Sequence, residues 1–321
     1  MRGRLVGALD TVLDRTVVGG YTKVGHRLRS RGWAADDPRP GALRGRVVVV
    51  TGGSSGLGKA TAVSTAGLGA TVHLVVRDLA KGRVAAEEIR DLVPGAVVVL
   101  HRCDVSDLGS VRSFAAELAG STQRVDVLVH NAGTLPPQRQ ESIDGHELTL
   151  ATHVLGPLLM TELLRPLMVA AGRSRVVVVS SGGMYTASLP AADPEFRVGD
   201  YAGARAYART KRMQVALAPL MQQRWAADGI AVHTMHPGWV DTPGIVTSLP
   251  AFHKVMGPLL RDAETGADTI VWLASTEPPP GGGQFWQDRA PRPEHYLRST
   301  RATPADLATV WAYVLGATGL T

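Results

Sequence analysis

Short apolar runs alternate along this chain with longer stretches in which apolar residues recur every three or four positions. Val47 to Val50 is a β-branched run without a polar face, the pattern of a strand covered on both sides. Leu57 to Leu68, just beyond a glycine cluster, has helical spacing. The same two patterns then trade places down the chain. Strands are predicted at Thr71 to Val76, Ala96 to Leu100, Val125 to His130, Arg175 to Ser180 and Ile230 to His236. Helices are predicted between them, near Leu79 to Leu92, Leu108 to Leu118, Gly145 to Ala171 and Ala204 to Ala227. Pro157 and Pro166 should bend the longest of these. A helix near Glu264 to Ala274, a short strand at Gly283 to Trp286 and a last helix over Thr303 to Gly316, entered through Thr303-Pro304, complete the pattern. Such alternation predicts an α/β fold: a doubly wound parallel sheet of about seven strands, with helices on both faces and ligands at the carboxyl ends of the strands.

The segment before the first strand reads differently. Leu5, Leu9, Val12, Leu13 and Val17 keep helical spacing until Gly19-Gly20 breaks it, Arg27 to Trp33 is basic, and Asp36 to Gly41 has the make-up of a linker. The 321 residues thus divide into an N-terminal accessory segment over 1–44, a main domain over 45–290, and a C-terminal tail with its helix over 291–321. The accessory segment either packs on the domain or offers a peripheral membrane or partner contact through residues 1–40. A hydrophobic fraction of 45% and a mean hydropathy of +0.04 supply a core. No run of about 18 uncharged apolar residues exists to span a membrane, and Leu5 to Leu9 is too short for the apolar core of a signal peptide. The one cysteine, Cys103, excludes an internal disulfide. Together these signs imply a cytoplasmic, reducing compartment, with peripheral membrane attachment left open. The net charge is +6, but the basic residues are scattered and no recognition motif accompanies them, which argues against nucleic acid as a partner.

Candidate chemistry concentrates where the strands end. Thr51-Gly52 closes the first strand, and Gly56 and Gly58 open the first helix of the domain. Strand, glycine turn and helix N-terminus form an anion site, whose free N–H groups and dipole suit a pyrophosphate that a Cβ would keep away. Arg77 follows the second strand, where arginine would accommodate the 2′-phosphate of NADP; Asp78 is either a rival ribose ligand or the cap of the next helix. Asp104 after the third strand suits the adenine amino group or a simple turn. Asn131, Ala132 and Gly133 end the fourth strand, and Ser181 stands just past the fifth, without the surroundings of a hydrolase nucleophile. Tyr207 and Lys211 share one helix face, so that a nearby ammonium would lower the phenol's pKa and make it a usable acid/base.

TGGSSGLG (Thr51 to Gly58), Asp104, Asn131 to Gly133, Ser181, Tyr207-Ala-Arg-Thr-Lys211 and PGWVDT (Pro237 to Thr242) together resemble the short-chain dehydrogenase/reductase family, in order and spacing, across about Gly45 to Arg289. Tyr21-Thr-Lys-Val-Gly, VSSGGM (Val179 to Met184), MHPGWVDTPG (Met235 to Gly244), GADT (Gly266 to Thr269) and FWQDR (Phe285 to Arg289) resemble its dehydrogenase/reductase member twelve-like subgroup. The resemblance implies a Rossmann-type fold and an NADP(H)-dependent oxidoreductase acting on a small-molecule, apolar carbonyl or alcohol. Tyr207 would exchange the proton, Ser181 would fix the substrate oxygen, and Lys211 would hold the nicotinamide ribose. Cofactor contacts are implied for Gly52, Ser54, Ser55, Gly56, Leu57, Gly58, Arg77, Asp104, Val105, Asn131, Ala132, Gly133, Tyr207, Lys211, Pro237, Gly238, Val240 and Thr242.

One position departs from the family: His153 stands where an asparagine commonly completes a proton relay. It either joins the relay or is an imidazole satisfied by neighbouring groups. The apolar segment between Gly244 and Arg261 is placed to cover the nicotinamide, or is a core or oligomer helix. Met184, Trp239, Leu249, Phe252 and Met256 are the expected substrate-lining residues, and a homodimer is a further expectation. The rival reading is a non-catalytic, redox-responsive NADP-binding protein of the same fold. A sugar-nucleotide epimerase is disfavoured, since those enzymes carry a shorter glycine turn.

Overall fold

The computed structural model describes residues 16–242 and 250–321. Its centre is an eight-stranded sheet in the order β3-β2-β1-β4-β5-β6-β7-β8. The strands are β1 (Val47–Thr51), β2 (Thr71–Val76), β3 (Val97–Arg102), β4 (Val127–His130), β5 (Ser174–Val179), β6 (Ile230–Met235), β7 (Gln284–Gln287) and β8 (Ala290–Pro291). Strands β1 to β7 run parallel, and β8 returns antiparallel on β7. Strand order reverses between β1 and β4, which leaves a crevice at their carboxyl ends, the Rossmann arrangement.

Side-chain alternation along β1 divides the core. Val49 packs into an apolar cluster with Phe114, Leu158 and Met213, whereas Val48 and Val50 join a second cluster with Ala62, Ala85 and Ile270. Helices Leu108–Ser121, Gly156–Ala170 and Gly203–Trp225 therefore cover one face, and Gly56–Gly67, Leu79–Leu92 and Ala263–Ser275 the other. The last helix, Pro304–Thr318, sends Val310 and Val314 into the first cluster. Its entry is a capping box: the Thr303 hydroxyl accepts from Asp306 N, and the Asp306 carboxylate accepts from Thr303 N.

The long helix before β5 is not uniform. It runs as Leu148–Leu150, a π-helical stretch Ala151–Leu155, and Gly156–Ala170. Pro157 sits in the first turn of the last piece, and the irregularity comes before it. A Cβ at Gly156 would lie 1.9 Å from the Val105 carbonyl oxygen, so the helix can approach the end of β3 only because that residue is glycine.

Gly20 and Tyr21 pack at the ends of β6 and β7, whereas Leu43 joins the second apolar cluster, its N donating to Leu68 O. Gly19 and Gly20 lie in the short helix Val17–Tyr21, which ends at the extended Thr22 before a second helix, Lys23–Ser30. Gly25 of the second helix packs against that turn, where a Cβ would come within 2.3 Å of Gly19 O. Asp36 to Gly41 is not a free connection. The Asp37 carboxylate accepts from Trp272 Nε1 at 2.7 Å, and Arg289 lies 4.1 Å above the Trp33 ring.

Candidate active site

A cleft of about 820 Å³ opens at the carboxyl ends of the strands. At one end the glycine turn is built from backbone contacts that leave no room for side chains. Gly52 has φ +67°, and a Cβ there would lie 2.8 Å from Ala132 Cα; one at Gly58 would lie 2.3 Å from Gly52 O. The Asn131 amide donates to Thr51 O at 3.0 Å and Gly52 O at 3.3 Å, while the Thr51 hydroxyl accepts from Asn131 N and Ala132 N. The asparagine thus ties β4 to β1 and sets the turn's shape. Helix Gly56–Gly67 presents its N-terminus to this space. A dinucleotide's pyrophosphate fits that cradle, because the Ser55 side chain leaves the helix's first N–H groups uncapped and Gly52 and Gly58 let the turn fold this tightly.

Arg77 and Lys81 line the cleft beyond β2. Asp78 is committed to the helix that follows, its carboxylate accepting from Ala80 N and Lys81 N at 2.9 and 3.2 Å. Asp104 also lines the cleft, with one oxygen turned to Ser106 N and Ser106 Oγ at 2.9 and 2.7 Å.

Ser181, Tyr207 and Lys211 meet at the other end. Burial pushes the Tyr207 phenol's pKa up, an effect that the neighbouring Ser181 hydroxyl opposes. Lys211 Nζ donates to Val179 O at 2.7 Å and stands 5.3 Å from the Tyr207 ring centre. Burial lowers its pKa to about 7. The Tyr207 pKa is thus raised here rather than depressed as expected: burial is the largest effect, and Ser181, not Lys211, opposes it.

His153 lies in the π-helical stretch, 1% exposed. Nε2 accepts from Thr134 N at 3.0 Å, Nδ1 pairs with Thr210 Oγ1 at 2.8 Å, and the ring stands edge-on to Tyr207 with centroids 5.3 Å apart. Burial, then Lys211, holds its pKa well below 6.5. Its carbonyl oxygen accepts from Gln214 Nε2 at 2.8 Å. Both ring nitrogens are thus satisfied by neighbours, and Gln214 and Thr210 are the contributors that pattern reading misses. They carry no motif, and only the crossing of two helices brings them to His153.

Most other expected residues line the cleft: Ser54, Ser55, Leu57, Val105, Gly133, Pro237, Gly238, Trp239, Val240 and Thr242 among them. Met184 does not. The turn Gly182–Thr186 points it inward, fully buried against Val215 and Phe285. Met256 is half-buried at the end of the short helix Pro250–Met256, where the chain turns back to Leu260, and is not part of the cleft wall. Leu249 lies outside the described residues, as does the side chain of Phe252. Leu135, Leu148 and Ala204 supply the apolar wall instead.

Residues 46–250 match the family described as short chain dehydrogenase. Dehydrogenase/reductase SDR family member 12 of Bos taurus is 40% identical over 293 residues, covering 89% of this chain and 90% of that protein. Retinol dehydrogenase 12 of Homo sapiens is 31% identical, covering 77% of this chain and 78% of its own. Among solved structures, a protein from Beutenbergia cavernae with bound NADP, described as an NAD(P) dependent gluconate 5-dehydrogenase, superposes with TM-score 0.63 at 27% identity, covering 77% of this chain and 96% of that one. With the glycine turn, Ser181, Tyr207 and Lys211 assembled around one cleft, this chain belongs to the short-chain dehydrogenase/reductase family, close to its member 12-like group.

Proposed function

We propose that the protein is an NADP(H)-dependent oxidoreductase for an apolar ketone, aldehyde or alcohol, with Tyr207 handling the proton. The observation that carries this reading is the convergence of Ser181, Tyr207 and Lys211 at one end of a cleft whose other end holds the glycine turn and Arg77. The turn's N–H groups would hold the pyrophosphate, and Arg77 with Lys81 would meet a 2′-phosphate; NADP in the solved relative accords with this. The nicotinamide supplies the hydride when bound.

The chain's own residues do the rest. In the reducing direction the buried phenol, held protonated, donates to the carbonyl oxygen that the Ser181 hydroxyl fixes. The phenolate left behind faces Lys211, whose pKa of about 7 lets it take the charged form and stabilise that anion. Leu135, Leu148, Ala204 and Trp239 give the substrate end an apolar lining, in keeping with a retinol dehydrogenase among the relatives. Turnover of NADPH and NADH against a panel of apolar ketones and aldehydes tests the reading. Consumption of NADPH in preference to NADH is expected, and no turnover with any member of the panel would discard it.

A further inference from the structure

Tyr21 sits where the N-terminal segment meets the substrate end of the cleft. It is 3% exposed. Its ring stands edge-on to His236 and Trp239, with centroids 4.5 and 5.8 Å away. A Cβ at Gly182 would lie 2.5 Å from its Cε2, so the residue next to Ser181 is glycine because this ring presses on it. On the other side the Tyr21 carbonyl accepts from Trp239 N at 2.8 Å and Arg261 Nε at 3.1 Å, and a Cβ at Gly238 would lie 2.6 Å from that oxygen.

The preceding residue is anchored as firmly. The Gly20 carbonyl accepts from Arg29, Arg261 and Gln287 at 3.1, 3.0 and 2.9 Å. Arg261 and Arg29 in turn grip Asp288, at 2.5 and 2.7 Å. Arg261 N also donates to Trp239 O at 2.8 Å, so Trp239 is held from both faces of its peptide.

We infer that Tyr21 is a positioning residue for the substrate end of the active site: a wedge between the turn that carries Ser181 and the turn that carries Gly238 and Trp239. The segment that pattern reading treats as an accessory is then part of the catalytic unit. The glycine turn at the opposite end is shaped by Thr51, Gly58 and Asn131, none of which takes part in these contacts.

The inference rests on the oxidoreductase reading only for its kinetic arm, and hydrogen exchange tests it without turnover. In the full chain, Tyr21→Leu should raise amide exchange in residues 181–186 and 238–241 by about tenfold, with residues 52–58 and 131–134 changed less than about twofold. It should lower kcat/KM for the carbonyl substrate by about tenfold or more, with the Kd for NADPH within about twofold. Tyr21→Phe, which keeps the ring, should restore most of both. Should Tyr21→Leu fail to fold, Gly182→Ala displaces the same ring, and the same local pattern is expected. Exchange that is unchanged, or raised equally at both ends of the cleft, would overturn the inference. So would unchanged kcat/KM in a folded Tyr21→Leu enzyme whose parent is active. A parent inactive on every carbonyl, with the local exchange pattern present, would discard the activity and leave the positioning role standing.

Discussion

At His153 one backbone donor decides what a titratable side chain can do. Thr134 N–H occupies Nε2, so the ring proton resides on Nδ1 and goes to Thr210 Oγ1, whose own proton goes to Tyr207 O at 3.0 Å. Taking up a second proton would break the Thr134 bond inside a site that already disfavours imidazolium. His153→Asn should therefore leave the shape of the pH–rate profile unchanged between pH 6 and 8, while unpaired buried groups lower stability by about 1–3 kcal/mol. A lost inflection near neutrality would show that the ring titrates after all. Tyr207→Phe should reduce kcat by about a hundredfold or more while NADPH affinity, measured by fluorescence titration, stays close to that of the parent. Arg77→Asp should turn cofactor preference toward NADH, shifting the ratio of the two Kd values by about tenfold or more. Arg77, Asn131, Ser181, Tyr207 and Lys211 are legible in sequence because each stands at a strand end or at a helical repeat from its partner. Thr134, Thr210 and Gln214 are not, since what they do depends on which side chain they meet across the fold.

Elements were readable wherever local pattern and tertiary packing agree. Thr71–Val76 and Leu79–Leu92 fall where the apolar spacing puts them, and Asp78, Asp107, Asp262 and Thr303 cap the helices that follow them. The π-helical stretch Ala151–Leu155 has no such signal: the residues could continue an α-helix, and the Gln214 amide on the His153 carbonyl belongs to another helix. That bond is the stretch's cross-brace. Gln214→Leu should leave a buried carbonyl without its donor and cost about 1–3 kcal/mol, seen as a Tm lowered by several degrees. An unchanged Tm would mean that the stretch holds itself. Strand β8 escapes pattern reading because two residues cannot show an alternation, and the helix Val17–Tyr21 because Gly19-Gly20 reads as a break.

For the whole molecule, burial of neutral histidines sets the response to acid. In the unfolded chain these rings take up a proton near pH 6.5, whereas burial lowers His233 to about 4 and His130 and His236 to about 3. Between those values the unfolded state binds more protons, so stability is full above about pH 6.5 and is lost as the pH falls toward 4. Asp288 acts in the same direction lower down: Arg261 and Arg29 hold its carboxyl at about 2 against burial, so its contribution is lost below about 3.8. Thermal melts between pH 7.5 and 4.5 should show Tm falling throughout the lower half of that range, and a flat profile would refute the account.

The wedge at Tyr21 also has a consequence in time. Its hydrogen-bonded partners follow it by more than 200 positions: the bond from Arg261 to Tyr21 spans 240 residues, and that from Gln287 to Gly20 spans 267. A chain grows from its N-terminus, so Tyr21 is made well before Trp239, Arg261 and Gln287, and its segment finds its seat only once β6 and β7 are in place. Closing so long a loop is entropically slow. This end of the cleft is thus completed late, and a chain released before Arg261 would carry the Tyr21 segment without its seat.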